Sequence, residues 1–371
     1  MLLIFHYLDM VVLTRMLYCY DEAMLNIMLA VLEGNDFNKV VFWSTEIYSS
    51  GFVRELSVFI WKVYYDFYAL HSNLPLYKIK NKMKKFEHTK DFKHILGCLY
   101  FMFQVSPHCE VFTILNMFKK KRVVKIKNMS KIFETIEYLI QKKSVFHIIN
   151  YLTNAIEQDN EETIKHYNEL IKNITKKKTS MFKINEMYEN VLSQILNHAF
   201  SVLEINIIKT KTKRISLKQL PNKFIKYHNS LTNFDNISPR YILKEKRHFE
   251  IDDLTGIFKL ERNDSNHEDF CGKFWYNWEF YSKKTPFWKK KYEEYKVSWS
   301  DKEISFQSDD VLEEFYEKYS YDLDELPLNI SQKSIKKLPK LSNLDFLYKY
   351  FETMNLPLDK NKIDIHMNIK Y

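Results

Sequence analysis

The sequence predicts a mainly α-helical protein: a multi-helix bundle built from antiparallel helix hairpins, followed by a smaller mixed, mostly helical C-terminal region. Three observations predict it. Only 5 glycines and 8 prolines occur in 371 residues, whereas average glycine usage of about 7% would supply several times more. Strand-rich folds with tight hairpins, and loops that cradle phosphates, both need the positive φ that glycine provides. Apolar side chains recur three and four apart through residues 1–205, the period of helices with one buried face. With 46% hydrophobic residues, the chain can bury one large core or two moderate ones.

The elements follow in order. Residues 1–15 are apolar but lack a basic flank and a small-residue cleavage site, and Asp9 interrupts them. They read as a buried or dispensable leader, with Met10 or Met16 as alternative starts. Asp21 suits an N-cap, and Met24, Ile27, Met28, Val31 and Leu32 follow at helical spacing up to Gly34, a natural stop. A second helix runs from Phe37 to Ser50 and closes at Gly51; a third runs from Phe52 to about His71, with Leu56, Phe59, Ile60, Val63, Tyr64, Phe67 and Tyr68 on one stripe. Short connections imply hairpin packing of the three. Further helices are expected near 88–104, 109–120, 129–141, 144–157, 161–176 and 180–204. No fixed repeat period appears, which argues against a solenoid.

Composition shifts after residue 205. Residues 207–217 alternate Ile and Thr with Lys, consistent with a short strand or a basic linker, so the boundary is placed between 1–205 and 206–371. The second region holds an aromatic cluster over residues 274–281, then Pro286 to Tyr292, Trp299, an acidic helix from Ser308 to Tyr319, and a last helix over 343–353.

The net charge of +9 is unevenly spread. Residues 51–150 carry 18 Lys or Arg against 7 Asp or Glu, a surplus of 11 that more than accounts for the whole excess. A basic surface there would attract phosphates without reading sequence. The abundance of Lys, Asn, Ile, Tyr and Phe also fits an A+T-rich coding genome, which weakens lysine count alone as a sign of nucleic-acid binding. Four widely spaced cysteines do not suggest a disulfide framework. No run reaches the ~20 apolar residues of a membrane helix, so a soluble, intracellular protein is expected.

Catalytic motifs are missing. A phosphate-binding Gly-x-x-x-x-Gly-Lys-Ser/Thr loop, a Gly-x-Ser-x-Gly elbow and a Gly-x-Gly-x-x-Gly turn are all absent. Among the twelve histidines, the nearest approach to metal spacing is His94 with Cys98, at i and i+4 of one expected helix, near His108 and Cys109; a core cysteine and a surface histidine explain it better. Asp309, Asp310, Glu313 and Glu314, and the Asp322-x-Asp324-Glu325 turn, read as solvated acidic surface. No cofactor and no metal is expected.

Two segments carry binding signals. Lys119, Lys120, Lys121, Arg122, Lys125 and Lys127 place six cations in nine residues, enough to neutralise several phosphates or to serve as a nuclear-targeting patch. A solvated loop has the same composition. The aromatic segment with Trp275, Trp278 and Trp288, rimmed by Lys273, Lys283, Lys284, Lys289, Lys290 and Lys291, suits stacked single-stranded bases, a protein partner or a core.

Two resemblances add to this. Val41-Phe42-Trp43, Glu46-Ile47-Tyr48, Ser50-Gly51-Phe52 and the run from Trp61 to Tyr68, with a second block at Ser282, Pro286, Trp288-Lys289, Phe315-Tyr316, Tyr319 and Asp324-Glu325, resemble uncharacterised helical proteins of nucleocytoplasmic large DNA viruses. That resemblance implies a viral origin and no particular activity. Residues 34–70 are also faintly similar to the helical collar of clamp-loader-related AAA+ ATPases. Asp66 matches, whereas Tyr65 and Tyr68 replace the family's Glu and Gly, and the ATPase portion is missing. The combined expectation is a non-enzymatic viral binding protein that associates with nucleic acid, or with a replication or transcription complex, through a basic helical surface. The alternative is a structural or assembly protein of the particle that binds viral or host proteins through its aromatic C-terminal region. The expected setting is the host cytoplasm, viral factory or nucleus, or the virion.

Overall fold

The chain, in a computed structural model that describes residues 12–109, 111–112, 115, 160–175, 181–202, 216–232, 249–252, 277–319, 349 and 352–353, is mainly helical. Among the described residues there are eleven helices and one two-stranded hairpin. Helix α1 (Tyr20–Glu33) is its centre. Twelve of its fourteen residues are buried, so it has no solvent face, as expected of a helix that is apolar nearly all round. Cys19 precedes it, so Asp21 lies in the first turn instead of capping it. There its carboxylate accepts the Glu22 N–H at 2.8 Å and complements the helix dipole. Gly34, at φ +66°, ends the helix in the left-handed conformation the sequence anticipates.

Asp36 caps α2 (Phe37–Ser49) by accepting the Asn38 N–H at 2.9 Å. Helix α3 (Val53–Phe67) ends four residues short of the His71 expected from periodicity. The Tyr68 and Ala69 N–H groups both turn back onto the Tyr64 carbonyl at 2.8 Å, while Tyr68 and His71 stay buried outside the helix. Periodic burial thus outlasted helical geometry. Helix α4 (Leu76–Thr89) was not anticipated, because its buried Ile79, Met83 and Phe86 are diluted by five lysines. It packs on α5 (Lys93–Phe103), whose start is set by Asp91 accepting the Lys93 N–H at 3.0 Å, five residues after the expected 88.

Helix α6 (Asn160–Thr175) matches its expected span. The helix expected over 180–204 is shorter, as α7 (Val191–Val202). Residues 181–190 are instead held in a turn by Gln194, whose carboxamide accepts the Asn185 N–H at 2.7 Å and donates to the Tyr188 carbonyl at 2.7 Å. Asn190 then caps α7 by accepting the Ser193 N–H at 2.9 Å. Helix α7 reaches α3 through Asn197, which donates to the Tyr65 carbonyl at 2.7 Å, and the turn before α7 adds the stacked rings of Tyr65 and Tyr188. Helix α8 (Asn222–Thr232) lies on α2, with Phe224 wedged among Phe37, Tyr100 and Phe103 and with His228 Nδ1 2.9 Å from Thr45 Oγ1. Tyr100 and Phe103 both meet Phe37 edge to face.

The C-terminal part comprises α9 (Trp278–Ser282), α10 (Pro286–Glu294), a hairpin of β1 (Ser298–Ser300) and β2 (Glu303–Ser305), and α11 (Asp309–Tyr319). The hairpin pairs Trp299 with Ile304 and turns through Asp301 at φ +51°. Pro286 occupies the first turn of α10, where a missing N–H costs nothing.

Buried side chains form two cores. One joins α1–α8 and includes Phe224 and Ile251, so it runs past residue 205; the other joins Trp278, Tyr281, Trp288, Tyr292, Phe315 and Tyr319. Residues 12–19 belong to both. Val12, Met16 and Tyr18 enter the first core, and Leu13, Leu17 and Cys19 the second. A tight turn at Thr14–Tyr18, closed by the Leu13–Cys19 bridge, lets one short segment face two ways. Of the two alternatives for the leader, buried or dispensable, residues 12–15 are buried. The helices expected at 129–141 and 144–157, most of 109–120, and the candidate strand before residue 216 lie outside the described residues.

Candidate nucleic-acid interface

Two buried contacts rivet the scaffold. Arg15 Nε meets Glu46 Oε2 at 2.8 Å, with side chains 2% and 1% exposed. Glu46 Oε1 takes the Met16 N–H at 2.8 Å, and Arg15 Nη2 donates to the Leu231 carbonyl at 3.0 Å, so the ion pair joins the N-terminal turn, α2 and α8. Asp66 is paired with Lys62 one turn earlier and is otherwise buried. The best-placed carboxylates of residues 34–70 are thus held by cations of the same chain, as structural groups.

The C-terminal block docks beside them. The Phe287 N–H donates to the Ser50 carbonyl at 3.1 Å, the Leu13 N–H to Tyr281 at 3.0 Å, and Trp288 Nε1 to the Thr14 carbonyl at 3.3 Å; the Thr285 hydroxyl donates to the Leu13 carbonyl. Both sequence blocks singled out above therefore meet in space. This corrects the candidate partner surface: Trp278 and Trp288 are 3% and 0% exposed and fill the second core, where their rings pack 5.1 Å apart. Both side chains are buried within the chain. Trp275 lies outside the described residues. Of the rim lysines, Lys283 and Lys289 line a cleft of about 230 Å³ together with Tyr292, Glu293, Val297 and Trp299.

The metal candidates separate as well. Cys98 is fully buried against α4, its Sγ 3.9 Å from the Ile79 carbonyl, and burial pushes its thiol up to about 12, far from a thiolate ligand. Among the described residues, no three His, Cys, Asp or Glu side chains gather in metal-binding geometry.

Lys119, Lys120, Lys121, Arg122, Lys125 and Lys127 lie outside the described residues. Within the same basic stretch, α4 supplies a described surface. It carries Lys78, Lys80, Lys82, Lys84 and Lys85 against a single acid, Glu87. With Ile79, Met83 and Phe86 turned to α5, helical geometry places Tyr77, Asn81, Lys84, Lys85 and His88 on the outer face, and all five are exposed. From Tyr77 to His88 the face runs about 16 Å along the axis.

The lysines divide by role. Lys82 lies across Gly97 of α5, where a Cβ would meet its Cδ at 2.8 Å, and its ammonium sits 5.1 Å from the Phe101 ring; Lys78 reaches the same ring at 6.0 Å. Their stems cover the α4–α5 seam while their charges stay at the surface. Lys80, Lys84 and Lys85 have no such anchor, and none of the five lysines forms an ion pair among the described residues. The local field registers on His94, whose imidazole is held below its ordinary value first by burial and then, against the opposing Asp91, by Lys93, Lys82 and Lys85. Sequence reasoning located the basic stretch but missed this helix; Ile79, Met83 and Phe86 at i, i+4 and i+7 were the available signal. No described helix is long and apolar enough to cross a membrane. No protein-family model, curated protein or solved structure matches the chain.

Proposed function

We propose that this protein is a non-enzymatic nucleic-acid-associating protein that acts through the basic outer face of α4, in the large-DNA-virus setting its sequence resemblance implies. One observation carries the reading: α4 holds five lysines against one acid, Lys84 and Lys85 exposed on its outer face, with no neutralising ion pair among the described residues. Cations packed this closely repel one another, and a phosphate backbone relieves that repulsion while releasing its own counterions. The geometry offers position and affinity without base readout, since lysines on a convex helix contact phosphates. The basic run at 119–127 falls in the same surplus-charge stretch of the sequence.

Fluorescence anisotropy with a labelled 20-mer across a salt series tests it. Neutralising three to five phosphates gives a log–log salt slope of about −2 to −4. Lys84→Glu with Lys85→Glu should weaken binding at least tenfold at low salt and flatten the slope, leaving the circular dichroism spectrum unchanged because both side chains are exposed. Affinity indifferent to salt, or to the double reversal, refutes the reading.

A further inference from the structure

We infer that the α4 face takes single-stranded nucleic acid in preference to duplex, with Tyr77 as the stacking platform; this rests on the nucleic-acid reading above and names its substrate class. The chain has 59 aromatic residues, and nearly all the described ones are buried or half-buried against other rings. Tyr77 departs from that pattern. It is 60% exposed, the one aromatic among the exposed large apolar side chains of the described residues, and no ring or side-chain hydrogen-bond contact with another described residue holds it there.

Its position makes the exposure informative. Tyr77 stands in the first turn of α4 and shares the outer face with Asn81, Lys84, Lys85 and His88. A base stacked on its ring would have its 3′ or 5′ neighbours carried towards Lys84 and Lys85, about two helical turns along the same face. A lone ring flanked by cations is the elementary unit of strand binding without sequence preference. Duplex DNA hides its base faces inside the stack, leaving Tyr77 nothing to cover. Single strands present them at no unpairing cost.

Competition anisotropy separates the possibilities. The probes are an unstructured 20-nucleotide DNA strand, the matching RNA strand, and a 20-base-pair duplex, each against the full chain at low salt. The expected result is tighter binding to both single strands than to duplex, and a loss of about tenfold or more on single strands for Tyr77→Ala. Duplex affinity should be unchanged by that substitution, and Tyr77→Phe should keep the wild-type preference because the ring face remains. Duplex bound as tightly as single strand, or Tyr77→Ala leaving single-strand affinity intact, overturns the inference while the salt-dependent lysine contribution stands. Loss of salt dependence in the wild-type protein instead removes the underlying reading, so the two failures are distinguishable.

Discussion

Arg15 and Glu46 show how much one residue pair decides here. Each has its charge almost wholly out of water, so removing one partner leaves the other stranded, at a cost of about 3–5 kcal/mol. Glu46→Ala should therefore lower stability by roughly that amount in urea unfolding, whereas replacing both, as Arg15→Met with Glu46→Leu, should recover much of the loss. Full-size destabilisation in the double variant would show that the hydrogen bonds to the Met16 N–H and the Leu231 carbonyl matter more than the charges. Two histidines make stability depend on pH. Burial, reinforced by His108, holds His71 down to about 4, and burial with Arg15 does the same for His228, against the opposing Asp91. Both bind protons more readily when unfolded, near 6.5. Their contribution is therefore complete above about pH 6.5 and is lost as pH falls towards 4. Urea midpoints measured from pH 7.5 to 4.5 should decline, and His71→Gln with His228→Gln should flatten the decline. Neither pairing was legible in the sequence, because Arg15 and Glu46 lie 31 positions apart and nothing local marks them as partners.

At the scale of elements, helix ends prove more informative than helix middles. Gly34 and Asp36 act as their types suggest, because caps depend on the local backbone. Gly51 does more than end a helix. It sits at φ +95°, and a Cβ there would lie 2.5 Å from the Cβ of Pro286. Gly51→Ala should therefore combine backbone strain with a clash against a rigid ring, costing about 2–4 kcal/mol. The expected signature is early exposure of Trp288, seen as a red-shifted fluorescence transition ahead of the loss of helix. Simultaneous transitions would mean that α10 shifts to accommodate the methyl group. Asn190 should behave as an ordinary N-cap, with Asn190→Ala costing about 1 kcal/mol by thermal unfolding. The errors at this scale share a cause. The expected helices over 52–71 and 180–204 extended an apolar rhythm into segments where burial continues but the backbone leaves the helix, and α4 was lost because lysine stems can cover a seam without looking apolar.

For the whole molecule, the decisive feature is the segment 12–19, which inserts Leu13, Leu17 and Cys19 into one core and Met16 and Tyr18 into the other. Leu13→Ala should cost about 2–5 kcal/mol and uncouple the two cores, so limited proteolysis should release the 277–319 region first. Unchanged protease resistance would mean that the backbone bonds to Tyr281 and Thr285 suffice. What the sequence by itself determined is the helical class, the basic stretch and the glycine stop at Gly34, since composition, charge and short-range periodicity are carried by neighbouring residues. Only the tertiary structure decided that the tryptophans at 278 and 288 are core, that residues 12–19 are buried in two cores, and that Tyr77 stands exposed on the lysine-bearing α4. Those outcomes depend on which surfaces meet, and burial between distant segments leaves no trace in local spacing.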